Sequence, residues 1–447
     1  METKLTHFNT IVIGSGPAGT GLLYAAQKSG HLEALLDSGV AFIDSTDRFG
    51  KGSIGNHIVN SDTSASVFLE CLDNLPDVHT FSPALQSLVQ KIRECGSKAI
   101  PLSWVGRLLE LLGEYWKIKL ESSASSALFL DHHAQFIRQN PDESFTVFIR
   151  DHRTGETSGL TASHLVMAMG GRQSLNDVLN VKVNDSVPLA AYRNKIMLTG
   201  ELLCPGGPQR ALQLMQHNSS HRVVIIGGSH SAFSSATTML KTLEAQHKIE
   251  KGDITMLHRH KLKLFYGSAR EAEADGYTDF TLNDICPVTL RVNRLGGIRF
   301  ESKELLRKLM GISNEKEDRV KLDLLEKYTH SELSELFDKA GLIVPAFGYK
   351  PRVLPVFDEQ EHPIPLLAQY GVKLVDGNCR VLHFSGEPVK GLFAAGLASG
   401  FVPHGKMGGE ASFRGQTNSL WGYQNCVGEL ILEQVLVTEE HYRRNAA

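Results

Sequence analysis

Short runs of apolar residues that end at glycine mark the predicted strands of this chain. Residues 8–13 form the first run, which ends at Gly14 and has the length of a buried strand. A helix is predicted from residue 17 to residue 29, and a second strand is predicted over residues 32–36, ending at Asp37. The chain is therefore predicted to open with a βαβ unit.

The following part of the chain changes from a helical to a strand pattern. Residues 61–122 are predicted to be mostly helical, and residues 105–120 place apolar side chains on one stripe at helical spacing. Residues 127–149 then alternate in short segments and predict a small meander of three strands. A further buried strand over residues 165–169 ends at Gly170.

The opening pattern returns in the second half of the chain. A linker rich in proline and glycine at residues 204–208 precedes a predicted strand over residues 222–226, a glycine turn and a helix over residues 233–244. A partner strand is predicted over residues 254–257. Because this repeat has the size of a domain, it predicts a second βαβ unit and not a solenoid.

The last third of the chain completes the predicted elements. Residues 314–339 are charged and predicted to be helical, and residues 342–344 form an apolar strand pattern. A C-terminal strand is predicted over residues 392–394, and a helix is predicted over about residues 415–435.

Composition excludes several classes of function. The chain has 42% hydrophobic and 21% charged residues and a formal net charge of -3, which is normal for a soluble globular protein and offers no basic stripe for nucleic acid. No apolar run approaches the roughly 18 residues of a membrane span. The polar residues 1–9 contain no secretory apolar region, so we expect a cytoplasmic protein that binds neither nucleic acid nor membrane. Nothing in the pattern decides between a monomer and a homo-oligomer.

The six cysteines are scattered along the chain without a C-x-x-C pair. This spacing argues against a zinc ribbon and against a local redox dithiol. We expect reduced, mostly buried thiols and no metal site.

The first glycine motif is Gly14-Ser15-Gly16-Pro17-Ala18-Gly19. In this G-x-G-x-x-G pattern the first glycine permits the tight turn, the second lets the backbone approach a pyrophosphate, and the third lets helix and strand pack closely. The phosphates would lie at a helix N-terminus. Asp37, followed by Ser38, stands near the spacing of about 20 residues expected for the carboxylate that binds the ribose. We predict that this unit binds FAD.

The second glycine motif is Gly227-Gly228-Ser229-His230-Ser231-Ala232, in which serine and alanine replace two glycines. The partner strand runs into His258-Arg259-His260, without the carboxylate that an NAD site would use. A cationic Arg259 suits a 2′-phosphate, so NADPH is the predicted ligand of this unit. The alternative interpretation of Arg259 is a solvated basic loop.

Two dinucleotide units in 447 residues predict the domain organisation. We expect an α/β fold of two Rossmann-like, three-layer domains, with the NADPH domain inserted into a discontinuous FAD domain. The FAD domain would comprise residues 1–200 and 342–447, with a helical insert at about residues 61–122. The NADPH domain would comprise residues 205–341.

The arrangement resembles the flavoproteins with two dinucleotide-binding domains, which include disulfide reductases and class B flavin monooxygenases. Residues 165–171 are similar to the apolar strand of that superfamily that ends in A-T-G, with Met169 at the threonine. Residues 342–349 resemble the A-T-G-Y segment of N-hydroxylating enzymes, and residues 391–396 resemble the C-terminal FAD segment. The resemblance implies that Gly170, Tyr349 and Gly396 contact the cofactors.

Absent motifs discriminate within the superfamily. Residues 38–69 contain no cysteine, so the electron relay of disulfide reductases is missing, and the Baeyer–Villiger fingerprint is not recognisable. The resemblance then implies an NADPH-dependent monooxygenase, in which a flavin C4a-hydroperoxide oxygenates a small substrate with a nucleophilic amine or sulfur atom, and O₂ is the co-substrate. Two alternatives stay open: a flavin dehydrogenase or oxidase that inserts no oxygen, and a flavin-binding sensor with a degenerate NADPH site.

Two segments are predicted to border the flavin. Residues 50–57 follow the first βαβ unit and end in Asn56 and His57, and residues 401–409 follow the C-terminal FAD segment and contain His404 and Lys406. A cation such as Lys406 or His404 would stabilise negative charge on reduced flavin. For His57 and His404 a packing or surface role is the alternative.

Overall fold

The computed structural model describes residues 6–76 and 81–445. Residues 77–80 of the predicted helical insert, and the outermost residues of the predicted FAD domain, lie outside the described residues. The strands are as follows: β1 Thr6–Ile13, β2 Val40–Ile43, β3 Asn60–Ser64, β4 Ala99–Pro101, β5 Ala127–Phe129, β6 His132–Gln139, β7 Phe145–Asp151, β8 Thr157–Met167, β9 Gly171–Arg172, β10 Lys182–Val183, β11 Val187–Pro188, β12 Val223–Ile226, β13 Ile254–His258, β14 Val320–Leu324, β15 Leu342–Pro345, β16 Lys350–Pro351, β17 Val356–Phe357, β18 Arg380–Leu382 and β19 Pro388–Ala394.

The α-helices lie between and after these strands. They are α1 Pro17–Lys28, α2 Leu32–Gly39, α3 Ala65–Leu69, α4 Pro83–Cys95, α5 Leu102–Glu121, α6 Leu175–Leu179, α7 Thr199–Leu202, α8 Gly207–His217, α9 His230–Glu244, α10 Ala269–Ala274, α11 Phe300–Leu309, α12 His330–Lys339, α13 Leu420–Gly422 and α14 Gly428–Asn445. A π-helical segment, Tyr423–Val427, joins the last two.

The larger sheet is built around β1. This strand pairs in parallel with β2 and β8, and the register aligns Ile13 with both Ile43 and Met167. The second half of β8 pairs in parallel with β19, and its first half pairs antiparallel with β7. The carboxyl ends of β1, β2, β8 and β19 therefore meet at one edge, where α/β folds bind their ligands.

The smaller sheet is fully parallel, in the order β14-β13-β12-β15. Side chains of β12 alternate between two cores: Val223 and Ile225 face one, and Val224 and Ile226 face the other. Both faces of this sheet are therefore covered, which is the three-layer arrangement of a parallel sheet.

Two parts of the predicted FAD domain pack with the smaller sheet instead. Strand β15 pairs with β12, aligning Ile343 with Val224. Val178, Leu189 and Leu198 join the core on one face of the same sheet. The predicted domain boundaries at residues 200 and 342 therefore do not follow the two sheets, because the segment before the linker and β15 bury their apolar side chains in the second unit.

Several predicted elements are confirmed and others are wrong. Helix α1 and the long helix α5 follow the predicted patterns. The three strands predicted as a meander are β5, β6 and β7, but β5 pairs in parallel with β2, and the antiparallel meander is formed by β6, β7 and β8. The predicted strand over residues 32–36 is the helix α2. The predicted helical insert contains the β3–β4 pair, the charged stretch contains β14, and the C-terminal helix begins at Leu420 instead of residue 415.

No helix of the described residues is long and apolar enough to cross a membrane.

A cleft between two glycine turns

A large cleft is lined by residues of both βαβ units. Its volume is about 1650 Å³, and it is lined by Gly14, Gly16, Pro17 and Ala18 of the first unit and by Ser229, His230 and Ser231 of the second. We call it the central cleft. Sites for one small ligand usually measure roughly 300–1,000 Å³, so the central cleft has room for more than one molecule.

The first glycine turn requires its glycines for steric reasons. Gly14 has φ of 101°, and a Cβ atom on it would lie 2.5 Å from the carbonyl oxygen of Ala168. A Cβ atom on Gly19 would lie 2.0 Å from the carbonyl oxygen of Gly14. The turn is thus pressed between the end of β8 and its own helix, and side chains are excluded from both positions.

The N-terminus of α1 fits a pyrophosphate group. Gly16 is the N-cap and supplies no side chain to cap the helix, and Pro17 follows in the first turn. Free backbone N–H groups and the helix dipole therefore face the central cleft, and both favour a bound anion. A Cβ atom on Gly16 would come within 3.3 Å of the Gly52 Cα atom, which leaves this approach open only to a glycine backbone.

The carboxylate at the end of the second strand is Asp44, not Asp37. Asp37 is exposed on α2, and the adjacent Ser38 hydroxyl donates to the Leu35 carbonyl on the same helix. Neither residue lines the central cleft, whereas Asp44 does. One oxygen of Asp44 accepts hydrogen bonds of 2.7 Å from the backbone N–H and the hydroxyl of Ser15. The prediction for Asp37 and Ser38 is wrong because it rested on a strand that is a helix.

Glycines hold the segment of residues 50–57 against the long helix α5. A Cβ atom on Gly55 would lie 2.8 Å from the Cα atom of Gly106, and one on Gly50 would lie 2.8 Å from that of Gly113. This close contact brings the backbone at Gly52 to the first glycine turn. The glycines of this segment therefore serve helix packing, which its sequence alone did not reveal.

His57 and Asn56 have different surroundings. His57 lines the central cleft, and its Nδ1 atom lies 3.9 Å from the Cys204 Sγ atom. Burial lowers the pKa of His57, and the hydrogen bond with the Leu203 backbone opposes this effect. The imidazole is therefore neutral at pH 7. Asn56 is exposed and does not line the cleft, so the predicted contact of Asn56 with the flavin is not supported.

Gly170, Gly396 and Tyr349 all border the central cleft. Gly396 has φ of 111°, and a Cβ atom on it would lie 3.2 Å from the Ala18 Cβ atom. The C-terminal segment thus lies directly against the start of α1. Burial raises the pKa of Tyr349, which keeps its hydroxyl protonated as a hydrogen-bond donor.

His404 and Lys406 do not reach the cleft. Both are exposed and absent from its lining, and the His404 Nε2 atom bonds the Gly377 carbonyl at 2.9 Å. The loop carrying them turns towards Gly377 and not towards the first glycine turn. The predicted role of His404 and Lys406 beside the flavin is therefore wrong.

The second glycine turn is as crowded as the first at its first glycine and differs from it at the last position of the motif. Gly227 has φ of 149°, and a Cβ atom on it would lie 2.7 Å from the Ala346 carbonyl oxygen. Ser229 is the N-cap of α9 without a side-chain cap, and its hydroxyl lies 3.1 Å from that of Ser231. Ala232 is buried at the position of the last glycine. Free N–H groups again face the cleft, so the turn fits an anionic ligand.

His230 connects this turn to the segment that follows β13. Its Nε2 atom accepts a hydrogen bond of 3.0 Å from the backbone N–H of Arg299, and its Nδ1 atom lies 3.9 Å from an Asp62 oxygen. Burial lowers the pKa of His230, and the Asp62 charge opposes this shift. A neutral ring with Nε2 as acceptor agrees with both contacts.

Arg259 lies beyond the end of β13, is exposed and does not line the central cleft. Arg352 does line it, and so do three arginines from another part of the chain: Arg291, Arg294 and Arg299. They stand on an irregular segment between β13 and α11, and sequence reasoning missed them. Because residues 291–299 form neither a helix nor a strand, a periodic pattern could not indicate that these arginines share a site.

Cysteines and metal-ligating residues form no further centre in the parts of the chain that the structure describes. The six cysteines are free; three are buried and three are half-buried. No described group of three or more His, Cys, Asp and Glu side chains is arranged to hold a metal ion.

Similar proteins carry this fold. No protein-family model matches the chain. The chain is 29% identical over 445 residues, 97% of its length and 99% of the relative, to the CMP-5′-(3-aminopropyl)phosphonate hydroxylase of Streptomyces rubellomurinus (strain ATCC 31215). The FAD-bound cadaverine monooxygenase DfoA of Erwinia amylovora matches with TM-score 0.55 and 14% identity over 96% of this chain and 94% of DfoA. The ornithine hydroxylase PvdA of Pseudomonas aeruginosa matches with TM-score 0.53 and 15% identity over 97% and 99%.

These likenesses confirm the predicted α/β fold with two Rossmann-like units. By their names, the relative and the two solved structures are a hydroxylase of an aminopropyl compound, a cadaverine monooxygenase and an ornithine hydroxylase.

Proposed function

We propose that this chain is an FAD-dependent monooxygenase that consumes NADPH and O₂ and oxygenates the amine nitrogen of a small molecule. The observation that carries the proposal is that both glycine turns open onto one cleft. A hydride donor bound at the second turn can therefore meet a flavin bound at the first. The relative that matches along nearly the whole chain is a hydroxylase of an aminopropyl compound, which agrees with an amine substrate.

FAD fits the first turn through this chain's own groups. The uncapped N–H groups of α1 would hold the pyrophosphate, and Gly16 and Gly52 leave room for it. Asp44 keeps Ser15 in position and stands where a dinucleotide fold places its ribose-binding acid. Gly170 and Gly396 would let the cofactor lie close to the backbone.

NADPH fits the second turn. The N–H groups of α9 and the hydroxyls of Ser229 and Ser231 would bind its pyrophosphate. Arg259, at the end of β13, would bind the 2′-phosphate. The end of β13 carries His258-Arg259-His260 and no carboxylate, which favours NADPH over NADH.

Bound FAD would accept a hydride from NADPH and transfer one atom of O₂ to the substrate. The chain's own part is to position the reactants and exclude water. His57 and Tyr349 border the cleft, the first as a neutral imidazole and the second as a protonated phenol. Neither adds a charge beside an uncharged amine, which is the form with a nucleophilic lone pair.

The two units are proposed as an FAD domain and an inserted NADPH domain, with the boundary shifted so that β15 and the segment around Leu189 belong to the second unit. Free cysteines without a disulfide among the described residues favour a reducing compartment. We therefore place the enzyme in the cytoplasm.

Purified protein tests the function directly. We expect bound flavin, NADPH oxidation with stoichiometric O₂ uptake, and a hydroxylamine product from an amine such as CMP-5′-(3-aminopropyl)phosphonate. Mixing reduced enzyme with O₂ should produce a transient that absorbs at shorter wavelength than oxidised flavin. Turnover with an artificial acceptor and no oxygenated product would instead establish a dehydrogenase. Flavin without reduction by NADPH would establish a sensor protein.

A further inference from the structure

Three arginines form a cationic cluster on one wall of the central cleft. Arg291, Arg294 and Arg299 all line it; we call them the arginine cluster. Among the described residues none of the three forms an ion pair with a carboxylate. The Arg294 guanidinium donates to the Met407 carbonyl at 2.6 Å, and that of Arg299 donates to the Arg294 carbonyl and stacks on the Phe265 ring. The Arg294 guanidinium also donates to the Cys286 Sγ atom at 3.5 Å. Burial opposes the shift, but hydrogen bonds from Thr289, Gly409 and Arg294 lower the pKa of that thiol to about 6. These contacts fix the positions of two cations, and the thiol offsets part of the charge of Arg294.

Two carboxylates near the cluster, Glu410 and Asp284, are engaged by other groups. Both oxygens of the buried Glu410 accept from the backbone N–H of Leu295, and one also accepts from that of Gly296. Asp284 accepts from Lys263 and Ser412. Burial lowers the pKa of Arg299, and the charges of Arg291 and Arg294 add to this shift, while Asp62 and Glu410 oppose it. Arg294 and Arg299 are half-buried and Arg291 is exposed. The cluster therefore presents positive charge to the cleft, where an anion can bind to the guanidinium groups.

The cluster reaches the second glycine turn from a different side than Arg259. A Cβ atom added to Gly228 would contact His258, the last residue of β13, and Leu262, which follows the strand. His230, at the start of α9, instead contacts the Arg299 backbone. In a dinucleotide unit the ribose and its 2′-phosphate lie beside the end of the second strand. That place is the end of β13, which Arg259 follows, and Arg259 does not line the central cleft, whereas the arginine cluster does.

The cleft also continues past the turn along α9. The wall there is rich in hydroxyl groups and ends in a cation, and its residues are Ser234, Thr237, Thr238, Lys241 and Thr242. Hydroxyls and a lysine suit phosphate oxygens and sugar hydroxyls. This extension offers more polar surface than a simple diamine would cover.

We propose that the arginine cluster binds the phosphate or phosphonate group of the substrate, so that the amine to be oxygenated is carried on a phosphorus-containing anion. The inference rests on the proposed function for the reaction, and it adds the chemical class of the substrate. Arginine is suited to this task because its planar guanidinium pairs with two oxygens of a phosphate-type group.

The test compares Arg291→Gln with wild-type holoenzyme. The Arg291 guanidinium makes no hydrogen bond or ion pair to a described residue, so its removal spares the fold. With CMP-5′-(3-aminopropyl)phosphonate as probe, we expect Kd, from calorimetry on the oxidised enzyme, to rise roughly tenfold or more, the value of one charge-assisted hydrogen bond. Arg291→Lys should recover part of this loss. Arg270→Gln removes the same charge from an exposed site on α10 and should leave Kd at the wild-type value.

Two further measurements separate the possible outcomes. Cadaverine carries no phosphonate, so its KM should be the same in Arg291→Gln and Arg270→Gln. If the KM for NADPH rises in Arg291→Gln instead of the Kd for the phosphonate, the cluster binds the dinucleotide and the proposal is overturned. An unchanged phosphonate Kd overturns it as well. Because calorimetry needs no turnover, phosphonate binding without any oxygenated product would sink the proposed function and leave this inference standing.

Discussion

The two glycine turns share a sequence pattern and differ in how tightly they are packed. In the first, Gly14 and Gly19 have no room for a side chain, and Asp44 clasps Ser15 through two hydrogen bonds. In the second, the buried Ala232 takes the place of the last glycine, and no carboxylate ends the partner strand. The first turn is rigid and held from three strands, as suits a cofactor that stays bound. The second is less constrained, as suits a ligand that must come and go.

Gly19 and Ala232 occupy equivalent positions in the two turns. Exchanging glycine and alanine at these positions should show the difference between the turns most strongly. In Gly19→Ala the new Cβ atom would meet the Gly14 carbonyl oxygen at 2.0 Å, which forces α1 away from β1. We expect the free energy of unfolding to fall by roughly 3 kcal/mol or more, which is the upper end for overpacking. We also expect the variant to lose bound FAD. Thermal unfolding and the flavin absorbance of the purified protein measure both effects.

The reciprocal variant is Ala232→Gly in the second turn. This variant should lower the free energy of unfolding by about 1 kcal/mol, the value for glycine replacing alanine in a helix, and FAD should stay bound. Equal losses in the two variants would remove the distinction between a rigid and a permissive turn.

The first turn was predictable from sequence, while its acid was not. Gly14, Gly16 and Gly19 keep a spacing that has one steric purpose, and the structure places them accordingly. Asp37 lies near the usual distance in sequence and therefore matches the expected pattern. Yet Leu32, Leu35 and Leu36 are buried at helical spacing, and the β-branched residues of β2 follow only after them. An extra helix between α1 and β2 moves the acid to Asp44.

The surroundings of the second turn could not be predicted from local sequence pattern. Arg291, Arg294 and Arg299 reach the cleft from a long irregular segment, held by a bond between the Arg299 backbone and His230. Such contacts between distant parts of the chain leave no periodic signal. For the same reason the position of His404 in sequence, after the C-terminal FAD segment, predicts a place beside the flavin, whereas the loop folds onto Gly377.

Weakening the hydrogen bonds between Asp44 and Ser15 in the first turn should have the next largest effect. Asp44→Asn weakens two hydrogen bonds from Ser15, and bonds to charged groups contribute about 1.5–3 kcal/mol. We expect the Kd for FAD to rise roughly 10- to 100-fold, measured by reconstitution of the apoprotein. Asp37→Asn is the matched control because it makes the same change on the exposed face of α2. If Asp37→Asn weakened FAD binding and Asp44→Asn did not, the assignment of the acid to β2 would be refuted.

Arg259→Ala tests the second turn in the same way. Loss of the guanidinium should raise the KM for NADPH roughly tenfold, through one charge-assisted contact to the 2′-phosphate. The KM for NADH should stay nearly unchanged, because NADH lacks that phosphate. Steady-state oxidation of both nucleotides measures the ratio. Equal effects on the two would rule out the 2′-phosphate assignment and leave Arg259 as a solvated basic residue.

The smallest expected difference between the turns is in their response to acid. The second turn carries a titratable ring, His230, whose pKa is lowered by burial, and the first carries none between Gly14 and Gly19. An unfolded histidine gains a proton near pH 6.5, before the folded one does, so the unfolding free energy falls as the pH drops below that value. Protonation of Nε2 would also remove the acceptor for the Arg299 N–H.

We expect His230→Gln to reduce the fall in Tm between pH 7 and pH 5. The control is His31→Gln, which changes an exposed histidine after α1 and should leave the slope as in the wild type. A slope unchanged by His230→Gln would mean that His57 and His164, whose pKa values burial also lowers, account for the acid sensitivity, and the second turn would then resist acid as well as the first.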